Sequence, residues 1–190
     1  MRNLHLILVL ATCLLPLTTA QAAPADLPKT GQTTCTDTAG AVIDCAGTGQ
    51  DGEHQAGVAW PTTRFSVDGT GNCVTDNLTG LMWVRSPDAT VRTWQQALDF
   101  ANNLDLCGAA DWRLPNVNEL ESLVNSEAAD QASFLNIQGF SGVQAGSYWS
   151  SSIYAALGPA YAWIVGMSDG YVNADDKIRS SYVWPARGGR

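Results

Sequence analysis

Catalysis by this chain would have to come from a few places. The densest is Asp111-Trp112-Arg113-Leu114-Pro115-Asn116-Val117-Asn118-Glu119-Leu120. Asp111 and Arg113 could form an acid–cation pair beside a bound group. The same residues read more simply as a structural corner in which both satisfy backbone groups, and their neighbours favour the corner. Pro115 forces Leu114 into an extended conformation and cannot lie inside a helix. Asn116 is then placed to cap the helix that follows, with Glu119 reaching back to it. Asp175 and Asp176 form a second carboxylate pair, but neighbours on a strand point to opposite faces. The histidines are His5 and His54. His54 lies in a Gly-rich stretch, so a Ser/His/Asp arrangement would draw its base from the least structured part of the chain. Asp68-Gly69-Thr70-Gly71-Asn72 echoes a calcium loop, yet with a single carboxylate and no distal Glu it reads as a turn. Neither metal-ligand spacing nor a phosphate-cradling loop is present. The expectation is a chain with no catalytic residue, no metal and no cofactor, one that is not an enzyme.

The N-terminus has the pattern of an export signal over residues 1–22: Arg2, an apolar run from Leu4 to Leu17, then Ala20-Gln21-Ala22 as a small-x-small cleavage site. The run is too short to span a membrane. Leu10-Ala11-Thr12-Cys13 loosely resembles a lipoprotein cleavage site, but Thr12 fits poorly, so a lipid anchor at Cys13 is the lesser expectation. Four cysteines remain beyond the signal: Cys35, Cys45, Cys73 and Cys107. An even number in an exported chain implies two bridges with three possible connectivities. The sequential pairing, Cys35 with Cys45 and Cys73 with Cys107, is favoured. On the loop-closure model the longer bridge would contribute roughly 3–4 kcal/mol. The formal net charge is −8, and loss of Arg2 with the signal makes it −9. With no Lys/Arg cluster, nucleic acid is not an expected partner. The chain is expected to be secreted, periplasmic or displayed on the cell surface.

Residues 23–62 are rich in Gly, Thr, Asp and Ala and read as an extension too poor in apolar side chains to fold alone. Val42 and Ile43 inside the Cys35–Cys45 loop suggest a stapled hairpin. The main domain is expected over residues 63–190. Arg64 to Val67 and Leu81 to Val84 alternate as strands. Asn77-Leu78-Thr79 matches a glycosylation sequon but reads as an Asn-initiated turn into Gly80. A helix follows with Thr93 and Gln96 as its capping box, its apolar face formed by Trp94, Ala97, Leu98, Ala101 and Leu104. Residues 128–146 carry no clear period and are expected to be loops. Tyr148 to Ser152 is a strand, and Ala160 to Met167 alternates, with Trp163, Val165 and Met167 on an inferred core face and Ala162, Ile164 and Gly166 opposite. Ser168-Asp169-Gly170 turns, Tyr171 to Asp175 returns, and Ser181 to Arg187 closes the domain. The fold class is α+β: two helices packed on an antiparallel β-meander, stapled by disulfides.

Thr79-Gly80-Leu81-Met82-Trp83, Trp94 with Ala97, the Asp111–Pro115 corner with Glu119-Leu120, Tyr148-Trp149-Ser150-Ser151, Ala162-Trp163 before Asp169-Gly170, and Pro185-Ala186-Arg187 together resemble the Lcl C-terminal domain family. That family is named for a bacterial collagen-like adhesin. The resemblance covers about residues 73–188 and implies a C-type-lectin-like fold and extracellular binding in place of catalysis. The chain departs from the family at Trp184 and Ala186, where an Arg and a Val are usual. The sulfated polysaccharide bound by the naming adhesin does not suit so acidic a chain, and the triplets of calcium-dependent sugar-binding lectins are missing.

The expected function is therefore a secreted or surface-displayed, receptor-like module for adhesion, recognising a protein or glycan on another cell. Its binding face would comprise Tyr154, Leu157, Ile164, Ser168, Asp169, Tyr171, Asn173, Asp175, Asp176, Arg179 and Tyr182. Tyrosines give rigid contact area there, while Ser, Asn and Asp adapt hydrogen bonds. Some family members resemble targets of diversity-generating retroelements, in which adenine-directed mutation varies such a face. From Ser152 to Tyr182 the chain has no Gln or Glu, which that chemistry cannot create. A structural component of the cell envelope or of an appendage is the alternative. A third reading, an enzyme on the formylglycine-generating scaffold, lacks cysteines after Gly108.

Overall fold

The computed structural model describes residues 27–188. The expected signal, its cleavage site and Cys13 lie outside that span. Two sheets and a separate hairpin carry the chain. The hairpin pairs β1 (Cys35–Thr36) with β2 (Val42–Ile43) and is closed by the Cys35–Cys45 bridge. A four-residue helix, α1 (Asp51–His54), packs beside it. The four-stranded sheet contains β3 (Phe65–Val67), β4 (Cys73–Asp76), β5 (Leu81–Val84) and β11 (Ala186–Gly188), in the order β11-β5-β4-β3. The five-stranded sheet contains β6 (Asp88–Arg92), β7 (Ser147–Ile153), β8 (Tyr161–Gly166), β9 (Val172–Asp176) and β10 (Ser181–Val183), in the order β6-β10-β7-β8-β9. Helices α2 (Trp94–Asn102), α3 (Val117–Glu121) and α4 (Gln131–Ile137) complete the α+β architecture.

Local signals set several of these boundaries. Thr93 and Gln96 form a capping box at α2, and Asn116 and Glu119 form one at α3, each meeting otherwise unpartnered amides. The Cys73–Cys107 bridge ties the segment after α2 to the start of β4. Both disulfides therefore follow the sequential pairing.

Four features differ from the expected meander. The strands β7, β8 and β9 are antiparallel, but β10 runs parallel to β7, with Tyr182 opposite Tyr148. Residues 181–188 form two strands in two different sheets, because Pro185 interrupts the pairing after Trp184. The stretch expected to be loops holds α4, capped by the Asp130 side chain on the Ser133 amide. The turn before Gly80 is built by Asp76, whose carboxylate accepts from the Leu78 amide, while the Asn77 side-chain NH2 donates to the Thr63 carbonyl and the Ser66 hydroxyl.

The five-stranded sheet is buried on both faces. One face carries Tyr148 and Val165 into a core with Trp83, Leu120, Leu123, Leu135, Phe140 and Trp184. The rings of Trp83, Phe140 and Tyr148 all meet Trp184 at centroid distances of 5.1–5.7 Å. The other face carries Trp149, Ala162, Ile164 and Val183 against Ala97 and Ala101 of α2 and against Leu114. Each large apolar side chain so enclosed contributes about 1.5–3 kcal/mol. The sheet is held rigid through its centre, leaving its edge and ends to meet solvent.

Candidate binding surface

The register of the β8–β9 hairpin decides which side chains can act together. Tyr161, Trp163 and Val165 lie opposite Asp176, Ala174 and Val172, and directly opposed residues share a face. Ala162 and Ile164 lie opposite Asp175 and Asn173 on the other face. The expected binding residues therefore divide. Asn173 and Asp175 belong to the face covered further in by α2, and Asp176 belongs to the opposite face with Trp163. Tyr154 joins that second face, its ring meeting Trp163 edge-on at 4.6 Å.

Ile164 is no surface contact. It is 4% exposed, packed among Trp149, Ala97 and Leu114. Trp163, expected in the core, is only partly buried. The physical reason is that both faces of β8 are covered at its middle, so alternation alone could not tell inside from outside. Tyr182 is also set apart. Its strand is separated from β9 by β7 and β8, roughly 14 Å at ordinary strand spacing. Its half-buried ring packs on Tyr148 at 5.4 Å.

The remaining residues gather at the two ends of the hairpin, roughly 17 Å apart along β9. At the turn end, the Asp169 carboxylate accepts from the Ser168 hydroxyl and the Tyr171 amide. The Tyr171 ring lies over Gly166, where a Cβ would come within 2.5 Å of it. This turn is anchored, since Ala132 and Gln131 at the start of α4 donate to the carbonyls of Met167 and Ser168. At the open end the Lys177 amide donates to the Ala160 carbonyl, and the Lys177 ammonium donates to the Pro159 carbonyl while lying over the Trp94 ring. These contacts bring Leu157, Ile178 and Arg179 to the same end, and Arg179 pairs with Asp175 at 3.3 Å. Ile153, Leu157 and Ile178 are 51%, 62% and 80% exposed. Ile153 and Ile178 carried no signal of their own, because each looks like an ordinary strand or turn residue until its neighbours are placed.

The corner at Asp111 is tied to β11 and to β7, the strand beside this hairpin. Asp111 and Arg113 do not pair with each other. Arg187 holds Asp111 through two contacts, 2.6 and 3.2 Å, and keeps its carboxyl below the usual range. Arg113 grips Glu119 and also donates to the Gly188 carbonyl, while its main chain exchanges two hydrogen bonds with Ala186. Beyond the corner, the Pro115 carbonyl accepts from Ser151, and the Val117 amide donates to the Ser152 hydroxyl. The bulge in β7 opposite Trp163 is thereby fixed to the start of α3. Charge here is spent on positioning.

Two other places have the outline of a small-ligand site, and only the first stays open. A groove of about 480 Å³ runs between the first described residues and α3, lined by Leu27, Pro28, Asn118, Glu121 and Val124 among others. Asp68 lies beside Cys73 and Cys107, but its carboxylate accepts from the Thr70 hydroxyl and from the amides of Asn72 and Cys73. The two sulfurs are joined in a disulfide, which leaves no thiolate to ligate a metal.

An α+β domain closed by two disulfides, with one hairpin end bearing exposed apolar side chains, defines a small module built for an oxidising, extracytoplasmic setting. Among the described residues no helix is long and apolar enough to cross a membrane. The chain belongs to the Lcl C-terminal domain family, whose model matches residues 72–187. No curated protein sequence matches it. The match includes both Cys73 and Cys107, and every strand from β4 to β10.

Proposed function

We propose that this chain is an exported binding module of adhesin type, with a C-type-lectin-like fold, that recognises a protein or glycan on another cell surface and performs no catalysis. The observation that supports it is the open end of the β8–β9 hairpin. Three aliphatic side chains, each more than half exposed, lie at the same end of the sheet as the Tyr154–Trp163 ring pair. Clustered apolar groups with an aromatic centre and a charged rim are the usual anatomy of a contact patch. Arg179, Asp175 and Asp176 supply that rim, and Ser168, Asp169, Tyr171 and Asn173 form a second contact zone for a ligand long enough to span the hairpin.

The test uses the full chain with its disulfides intact against arrayed glycans and cell-surface protein fractions. Specific capture by the wild type, lost in Leu157→Asp with Ile178→Asp, supports the reading. Both positions are exposed, so the variant should melt as the wild type does. Absence of capture from every fraction, with the chain instead recovered as a fixed part of the producing cell's envelope, would favour the structural alternative.

A further inference from the structure

Strand β9 is the outer edge of the five-stranded sheet, and an edge strand normally presents unpaired amides to any extended chain that meets it. The hydrogen bonds at its two ends define which amides those are. Gly166 donates to the Tyr171 carbonyl and Lys177 donates to the Ala160 carbonyl. In an antiparallel ladder this turns the odd-numbered residues of β9 toward β8 and leaves the N–H groups of Val172, Ala174 and Asp176 pointing outward. The last two are not free. The Asn173 side-chain carbonyl accepts from the Ala174 amide at 2.8 Å, and the Asp175 carboxylate accepts from the Asp176 amide at 2.8 Å. Two of the three outward donors of β9 are thus taken by the side chain immediately before them, and the Val172 amide is left as the open one.

The opposite edge, β6, is closed in a related way. Asp88 accepts from the Thr90 amide at 2.9 Å, and Arg92 donates to the Thr90 carbonyl at 2.9 Å. Asp88 and Arg92 also pair with each other at 2.6 Å.

We propose that Asn173 and Asp175 are edge caps that stop β9 from pairing with β9 of a second copy of this chain, keeping the exposed hairpin available and the module unpaired. The inference does not depend on the ligand reading above. Strand addition would have to break both short contacts and strand a carboxylate beside the incoming backbone. Val172 at the other end of β9 is exposed and β-branched, so without the caps the edge has the residue types that favour sheet growth.

The experiment compares sedimentation of the intact chain over a range of concentrations with amide hydrogen exchange at Ala174 and Asp176. Asn173→Val combined with Asp175→Val should self-associate as concentration rises, where the wild type does not. Asp175→Asn keeps an acceptor without the charge, and Arg179→Ala removes only the ion pair, so both should behave as the wild type. Should the double variant fail to fold, the single change Asn173→Ala decides. It should speed exchange at Ala174 by roughly three- to tenfold, the equivalent of one modest hydrogen bond, and leave Val172 unchanged. A folded double variant that stays unassociated, an Asp175→Asn variant that associates as strongly as the double one, or unaltered exchange at Ala174 would each overturn the proposal.

Discussion

Arg113 and Glu119 meet in a two-pronged ion pair, with 2.7 Å at each contact. The same Glu119 carboxylate accepts from the Asn116 amide, so one side chain closes a helix cap and holds the arginine. Partial burial pushes the Glu119 carboxyl up, but Arg113 and the Asn116 amide outweigh burial and hold it below its ordinary value. A carboxyl depressed in the folded state stabilises the fold above its unfolded pKa, near 4.3, and that contribution is lost as pH falls through the folded value. Arg113→Met should therefore cost about 1–2 kcal/mol near neutral pH, a figure reduced for the partial exposure of the arginine. Urea unfolding at neutral pH and below about pH 4 should show the gap between wild type and variant shrinking on the acid side.

The bridge between Cys73 and Cys107 closes a loop with a sequence separation of 34. Cys107→Ser should lower stability by about 3–4 kcal/mol on the loop-closure model. Peptide mapping without reduction should release these two cysteines joined, and Cys35 joined to Cys45. A peptide linking Cys35 to Cys73 would contradict both pairings.

Asp76 and Arg64 are buried together, with contacts of 3.1 and 3.3 Å, and the guanidinium lies between the rings of Trp60 and Phe65. Asp76→Ala would leave that cation enclosed without its carboxylate and remove the acceptor that builds the turn before Gly80. A loss of about 3–5 kcal/mol in thermal or urea unfolding is expected, as for other broken buried pairs. Replacing both residues with apolar side chains of similar volume should cost much less.

Much of this was legible where the signal is local. Thr93 with Gln96 and Asn116 with Glu119 announce their helices because capping needs residues only three apart. The hidden parts depend on contacts distant in sequence. Helix α4 buries Gln131, a polar residue that reads as surface, because its side chain bonds the Asn125 amide and the carbonyls of Asn125 and Ala128. Ile164 and Trp163 exchanged their expected roles because the sheet is covered on both sides. Trp184, where the chain departs from the family pattern, is fully buried at the centre of the aromatic core with its indole N–H on the Val84 carbonyl. A variable surface would have to lie elsewhere, since substitutions there would leave a cavity.

The N-terminal extension is docked chiefly through Glu127, whose carboxylate accepts from the amides of Thr33 and Thr34 and from the Thr34 hydroxyl. Those donors, led by the Thr33 amide, keep the Glu127 carboxyl below its ordinary value. The direction of the shift means that the clip is complete near neutral pH and weakens as acid protonates the carboxylate. Glu127→Ala should raise protease cleavage within residues 27–62 while leaving the main domain intact, and acid below the ordinary Glu range, under about pH 4, should have the same effect on the wild type. The Trp60 ring against Phe134 and the Ser126 amide on the Thr30 carbonyl would still hold part of the extension.

Tyr171 and Tyr182 provide the sharpest contrast between a contact residue and a packing residue. Both were expected on one binding face. The Tyr171 ring is 42% exposed, covers Gly166 and shares one weak hydroxyl contact with Ser147 at 3.2 Å. Tyr182 packs on Tyr148 and over Gly146, where a Cβ would lie 2.7 Å from the ring. Tyr148 is fully enclosed and belongs to the main core, so removing Tyr182 opens that core from one side. Tyr182→Ala should therefore lower stability by about 2–4 kcal/mol, and Tyr171→Ala by less than about 1 kcal/mol. Thermal melts of the two single variants check this directly. If Tyr182→Ala melted like the wild type while abolishing capture of a ligand, the contact surface would extend across the sheet to β10 and the hairpin end would not be its centre.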